Sequence, residues 1–463
     1  MPADAQEAVE SRIRAATPPH SVRPWPLPIA ESAHVDAIAR RLAACTDDAQ
    51  LAQAEDDLSS QLQMQGTPLW EPADERHSRV TFVWIGDAPH GVALYLNRFC
   101  DVMDIADTLM ARLGTSRVHA LTLRVPHSLL SSYLFIPLPH PPSVVLHRGV
   151  DPERMQPLLA AACEDPLAGS HIVNKLVIPG RQATPRLAVA AGPAAMRRRL
   201  WEDEPVETIP VRSLRGTYTD VELSLSVWSH PDCDVTSPVF LLTDGEVWRE
   251  QFPIASELCR LVQAGRLAPM HVVFLDSGGA RQRQLDYPAS PPQSGRMLEQ
   301  IRDHVAGHVG QGPWIVAGQS LGGLFALLCA TRHPDLVAAA VGQSPSLWWP
   351  AIDPNDLSTN PYATRVEPNC QWNSAIPPRR GWFQELAEAR DPAPVLIESG
   401  RYDWVLVDRL RDAAALLDSQ GALIGYDEPA AGHDVLQWQA SLPDLLCRAF
   451  SHVSEPRASG ERG

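Results

Sequence analysis

Gly318-Gln319-Ser320-Leu321-Gly322 sets a serine between two glycines in the spacing G-x-S-x-G, the pattern of a nucleophile elbow, where a sharp strand-to-helix turn lifts a hydroxyl out of a sheet. The apolar run Trp314-Ile315-Val316-Ala317 before it and the helical pattern from Leu324 to Ala330 after it supply the strand and helix that this turn needs. The glycines have a mechanical reason: side chains at 318 or 322 would collide as the backbone swings round. Ser320 then stands at a helix N-terminus, where unpaired amides and the helix dipole favour developing negative charge. A serine so placed attacks acyl carbon once a base takes its proton. A histidine is available in the short loop Gly432-His433-Asp434, after the strand-like Ala422 to Tyr426, and the order serine, acid, histidine is that of α/β-hydrolases.

These residues need a scaffold, and the rest of the chain supplies its pattern. At 463 residues the chain exceeds one core and suggests two or three domains. Its 44% hydrophobic and 20% charged content fits an ordinary globular protein. The net charge of −16 argues against a nucleic-acid binder, which needs a basic surface. No run approaches the roughly 20 apolar residues that span a bilayer, and the polar, Pro-containing start has no signal-peptide pattern. The expectation is a cytoplasmic protein that does not bind membranes.

Residues 1–30, dominated by Ala, Glu, Pro and Arg without periodicity, read as a disordered tail, as do 454–463. Residues 31–150 combine a helical cap, with Val35, Ile38, Leu42 and Cys45 at helical spacing, and short strands at 79–85, 91–97, 120–125 and 132–136, which suggests a small β-sandwich. Residues 151–210, rich in Pro, Ala and Gly, read as a linker. From 211 to 453, strands and helices alternate, which predicts a mainly parallel sheet wrapped by helices. The fold class is therefore α/β: a C-terminal α/β-hydrolase preceded by an all-β, sandwich-like domain.

Further motifs sharpen this. Leu241-Leu242-Thr243-Asp244-Gly245-Glu246-Val247-Trp248 ends a strand, Asp276 ends the next with Arg281 and Gln284-Leu285 after it, Ser344-Pro345-Ser346-Leu347-Trp348-Trp349-Pro350 follows the strand after the elbow helix, and Ala431-Gly432-His433-Asp434 precedes Trp438. Upstream stand Leu69-Trp70-Glu71, Val80-Thr81-Phe82-Val83-Trp84, Ser132-Tyr133-Leu134-Phe135-Ile136-Pro137 and Asp165-Pro166-Leu167. Together they resemble the enterochelin esterase family, cytoplasmic hydrolases that open the trilactone backbone of ferric enterobactin-type siderophores. The chain departs from the family where Ala431 replaces the first glycine of Gly-Gly-His-Asp and Gln284 stands where a Glu is common.

The resemblance and the chemistry assign Ser320 as nucleophile and His433 as general base. Asp403, in the loop Ser399-Gly400-Arg401-Tyr402-Asp403, is favoured as the orienting acid, with Glu398 as competitor and Asp434 structural. The oxyanion hole is expected from the backbone amides of Leu321 and of Gly245 or Glu246, with Asp244 a turn residue whose carboxylate bonds nearby amides. A ferric triscatecholate is bulky, aromatic and anionic, so its pocket should join arginines to aromatic faces. The candidates are Trp248, Arg249, Arg281, Arg283, Trp348 and Trp349, against the alternative that the tryptophans fill the core and the arginines are solvated. No cofactor and no protein-bound metal are expected; His304 and His308 stand at helical spacing, but Val305 occupies the glutamate position of H-E-x-x-H. The iron belongs to the substrate. Two other functions compete: a general or carbohydrate-acyl esterase or acyltransferase, and a ligand-binding protein on a hydrolase scaffold, which should have lost its Ser or His.

Overall fold

The computed structural model describes residues 23–100, 105–142, 158, 160–173, 186–196, 212–218, 221–252, 254–278, 283, 287, 291–347 and 382–454. Of the expected tails, residues 1–22 and 455–463 lie outside them, as do Arg281, Trp348 and Trp349; the expectation of disorder over 23–30 is corrected, because Leu27 is buried in the core of the N-terminal sheets and Ile29 bridges Leu123.

Two helices open the described chain. α1 (Ala33–Ala43) starts where the Ser32 hydroxyl accepts the His34 N–H, and α2 (Asp48–Gln65) where Asp47 accepts the Gln50 N–H at 2.8 Å; these are N-caps that satisfy otherwise orphaned amides. α1 buries Ile38 and Leu42, and α2 buries Ala54, Leu58 and Leu62, against Leu69, Val83 and Val118 of the next layer.

Eight strands follow: β1 (Leu69–Pro72), β2 (His77–Ile85), β3 (Val92–Leu96), β4 (Ala111–Arg112), β5 (Val118–Pro126), β6 (Leu130–Pro137), β7 (His171–Val173) and β8 (Arg186–Ala191). They form two four-stranded sheets, ordered β1-β2-β5-β4 and β3-β6-β8-β7, every pair antiparallel. Val80, Phe82, Leu94, Tyr133 and Phe135 fill the space between them. The expectation of a linker over 151–210 is corrected here, because β7 and β8 within it complete the second sheet. Leu187-Ala188-Val189-Ala190 is buried throughout, and a strand covered on both faces shows no alternation by which to recognise it.

The remaining strands, β9 (Arg212–Tyr218), β10 (Val221–Ser229), β11 (Val239–Thr243), β12 (His271–Leu275), β13 (Trp314–Gln319), β14 (Ala339–Gln343), β15 (Val395–Glu398) and β16 (Leu423–Asp427), make one sheet in the order β16-β15-β14-β13-β11-β12-β10-β9. Pairing is parallel from β12 to β16 and antiparallel where β10 joins β12 and β9. The helices are α3 (Ile254–Gln263), α4 (Pro291–Val305), α5 (Leu321–Arg332), α6 (Trp382–Glu388), α7 (Val407–Ser419) and α8 (Val435–Ser454). Helices α4, α5, α6 and α7 contribute to the core on one face of the sheet. On the other face, α3 and α8 share a continuous core with Leu130, Leu134, Ile136, Leu187 and Val189 of the second four-stranded sheet. That shared apolar layer presses the N-terminal sheets against the large one. Among the described residues, no helix is long and apolar enough to cross a membrane.

Candidate active site

β13 lies in the interior of the large sheet, and its C-terminal end delivers Ser320 with φ 56° and ψ −118°. That left-handed φ is costly for a residue with a Cβ and persists only where packing enforces it. The enforcement is visible: a Cβ at Gly318 would overlap Thr243 Oγ1 and the Gly322 carbonyl, and one at Gly322 would overlap Thr243 Oγ1 as well. The turn is pinned from β14, where the Ser320 N–H donates to the Gln343 carbonyl at 2.8 Å and the Ser346 N–H donates to the Ser320 carbonyl at 3.0 Å.

The side chains complete a relay. Ser320 Oγ is 3.1 Å from His433 Nε2, and His433 Nδ1 is 2.7 Å from Asp403 Oδ2. Asp403 is fully buried in the loop after β15, and His433 stands just before α8 with its ring edge-on to Trp438. Burial pushes the Asp403 carboxyl up, but the facing charges of His433 and Arg98 and the hydrogen bond from His433 outweigh it and hold it below the ordinary carboxylate value. An ionised acid on Nδ1 fixes the tautomer that leaves Nε2 able to accept the serine proton.

Glu398, the other candidate acid, is turned into a different network. It accepts from Gln343 Nε2 at 3.1 Å and Ser441 Oγ at 2.8 Å, and burial pushes its pKa up to about 7. Asp434 also points away from the relay, accepting the Ser132 N–H at 2.6 Å and the Leu436 N–H at 3.0 Å. It caps α8 and ties the histidine loop to β6.

For an oxyanion, Leu321 opens α5, so its N–H has no partner within the helix. Gly245 and Glu246 follow Asp244, which itself has φ 54°. A Cβ on Gly245 would meet Phe274 Cβ at 2.7 Å, so the chain runs hard against β12 there. The Glu246 carboxylate is held by Ser277, through its N–H at 3.0 Å and through its hydroxyl.

Three expected substrate contacts are corrected. Trp248 is 1% exposed and packs against Phe252 in the core, since the short helical turn Val247–Gln251 faces inward. Arg249 is bidentate to Asp276, at 2.6 and 3.1 Å. Arg283 is bidentate to Asp244, at 2.6 and 2.8 Å, and also donates to the Gln319 carbonyl at 2.9 Å. Gln319 Nε2 donates to the same Asp244 carboxylate at 3.0 Å, so Asp244 and Arg283 brace the elbow from beneath. Asp244 is thus structural as expected, but its partners are a guanidinium and a side-chain amide rather than backbone N–H groups. His304 Nδ1 donates to the Gln300 carbonyl, and His308 lies past the end of α4, so the two do not share a helix.

Sequence reasoning missed two neighbours of the relay. Ser346 Oγ is 3.2 Å from Ser320 Oγ; its motif was noted, but nothing in the sequence says that the chain folds back beside the elbow. Arg98 Nε is 3.1 Å from Asp403 Oδ1, an oxygen with no aligned hydrogen-bond donor among the described residues. Arg98 follows β3, and no local signal connects it to Asp403.

The model described as "Putative esterase" matches residues 227–449, and "Enterochelin esterase, N-terminal" matches residues 79–201. The iron(III) salmochelin esterase of Escherichia coli O6:H1 is 28% identical over 300 residues, 61% of this chain and 68% of that protein. The iron(III) enterobactin esterase of Dickeya dadantii is 25% identical over 414 residues, 82% of this chain and 89% of the other. The solved ferric enterobactin esterase of Salmonella typhimurium, at 19% identity, superposes with a TM-score of 0.66 over 84% of this chain and 97% of that one, a likeness of fold. With both family models matching in order across an N-terminal pair of sheets and an α/β-hydrolase sheet, the chain belongs to the enterochelin esterase family.

Proposed function

We propose that this protein is a serine esterase that hydrolyses the ester bonds of iron(III)-loaded, enterobactin-type catecholate siderophores, releasing iron in the cytoplasm. The observation that carries the reading is the closed relay Ser320–His433–Asp403, at 3.1 and 2.7 Å, on an elbow held in a strained conformation. Relatives named for iron(III) salmochelin and iron(III) enterobactin support the substrate class.

In the first half-reaction His433 Nε2 takes the Ser320 proton as Oγ attacks an ester carbonyl, and the carbonyl electron pair moves onto oxygen. The amides of Leu321 and of Gly245 or Glu246 receive that oxyanion, aided by the N-terminus of α5. Collapse expels the substrate alkoxide, which takes the proton back from His433. Water then repeats the sequence on the acyl-serine, with His433 as base and Ser320 as leaving group. Asp403 stays ionised throughout and stabilises the imidazolium. Three cycles reduce a trilactone to its monomers. Arg281, Trp348 and Trp349 are the remaining candidates to face the anionic, aromatic substrate.

The test is mass spectrometry of products after mixing the protein, or Ser320→Ala, with iron-loaded and iron-free enterobactin. Linear trimer, dimer and monomer from the unmodified protein alone are expected. An intact trilactone alongside cleavage of simple aryl esters would move the protein to a different ester.

A further inference from the structure

Two of the residues that bracket the relay, Asn97 and Arg98, come from the N-terminal sheets, and their contacts go to its working parts. β3 ends in a turn where Arg98 adopts φ 63°, a left-handed conformation that non-glycine residues rarely occupy and that marks a position held by its surroundings. Three kinds of contact hold it. Trp404, next to Asp403, donates its indole N–H to the Arg98 carbonyl at 2.9 Å, and the Arg98 guanidinium lies 5.8 Å from the Trp404 ring centroid. Arg98 Nε faces Asp403 Oδ1 at 3.1 Å. The neighbouring Asn97 donates through Nδ2 to the His433 carbonyl at 2.9 Å. The approach is so close that a Cβ on Gly432 would meet Asn97 O at 2.7 Å and Arg98 Cβ at 2.9 Å.

Resting on the reading of Ser320, His433 and Asp403 as the triad, we propose that Arg98 is its fourth, positioning member: a cation from the N-terminal region that holds the buried Asp403 ionised and aimed at His433, and so sets the lower pH limit of activity.

The electrostatics fix the direction. Asp403 has two carboxylate oxygens, one on His433 Nδ1 and the other facing Arg98. A buried carboxylate with a single partner favours its neutral form. A cation near His433 also disfavours the imidazolium. Both effects lower the pH at which the Ser–His pair becomes competent, and removing Arg98 reverses both. The other charged and titratable groups packed around the relay are already engaged: Asp434 with Ser132 and Leu436, Glu398 with Gln343 and Ser441, and Asp244 with Arg283. Tyr95 and Tyr402 are neutral at the pH of the assay, their hydroxyls pushed up by burial. Arg98 is therefore the cation in direct contact with the acid of the relay.

The experiment reads nucleophile activation independently of the siderophore. A neutral alkyl fluorophosphonate labels an activated serine by forming an Oγ–P bond and expelling fluoride, and its rate against pH from 5 to 9, followed by intact mass, reports the acid limb. Arg98→Gln and Arg98→Met, the latter keeping an apolar stem against Trp404, should shift that limb upward by about half to one pH unit. Labelling at pH 6 should fall roughly three- to tenfold relative to pH 9. Arg98→Lys should bring the limb back to within about 0.3 unit. A limb unmoved in both neutral variants, or moved equally in Arg98→Lys, would overturn the proposal. A higher KM for the anionic siderophore with an unmoved limb would make Arg98 a substrate contact instead. Ser320→Ala labelled as fast as the unmodified protein would sink the triad reading itself, and a shifted limb without siderophore cleavage would leave Arg98 in place and remove only the substrate.

Discussion

Asp403 and Glu398 are close in sequence and both buried, and their partners give them different work. Asp403 faces a histidine and an arginine and stays ionised, whereas Glu398 faces hydroxyl and amide donors and is pushed up to about 7. Asp403→Asn should lower kcat about a thousandfold or more, because the amide presents the wrong hydrogen-bonding group to Nδ1. Glu398→Gln should leave kcat within a fewfold, and initial-rate kinetics on any cleaved ester separates the two. Comparable losses in both would return the acid to an open question. Glu398 carries a stability consequence as well. A carboxyl whose folded pKa lies above its ordinary 4.5 contributes stability that is present below that value and is lost as pH rises to about 7. The loss is on the order of 3 kcal/mol. Denaturation midpoints of Glu398→Gln should accordingly vary less than those of the unmodified protein between pH 4.5 and 7.

At the scale of the element, the elbow is a set of close approaches. β11 supplies Thr243 against both glycines, β14 receives the Ser320 N–H, and Arg283 reaches the Gln319 carbonyl. One added methyl has nowhere to go except through a shift of β11 or α5. Gly322→Ala should cost about 2 kcal/mol or more in chemical denaturation, and the folded fraction should label poorly with a serine-directed phosphonate. Normal stability with normal labelling would show that the turn relaxes more easily than its packing indicates. The glycines were readable in advance because the elbow is local, whereas the bracing pair Asp244–Arg283 was not. The same arginine in a loop after β12 suits an anionic substrate equally well until its partner's position is known.

Across the whole molecule, the hydrolase sheet and the N-terminal sheets share one apolar layer, and polar contacts join them at the relay. Asp434 is the tie most open to test. Asp434→Ala strips the partner from the buried Ser132 and Leu436 N–H groups and should lower unfolding free energy by about 2–4 kcal/mol. Because the same residue anchors the histidine loop, kcat should fall more than KM changes, with Asp434→Asn recovering part of both. Unchanged stability and rate would mean that the apolar layer alone holds the loop.

What the sequence determined by itself was local. Ser320 lies in a strand-turn-helix whose glycines have a steric reason, His433 in a loop behind a strand, and a small β-sandwich was legible from four of its strands, β2, β3, β5 and β6, which carry β-branched and aromatic runs. The strand β8 escaped because burial on both faces erases alternation, and Trp248 was misplaced because an aromatic beside an active-site turn reads the same whether it faces in or out. The tertiary structure decided what depends on distant pairs. Asn97 and His433 are 336 positions apart. The partner of Asp403, the brace beneath the elbow and the burial of Arg249 on Asp276 are likewise set by which strands lie side by side, a property of the assembled sheets that no short stretch of chain encodes.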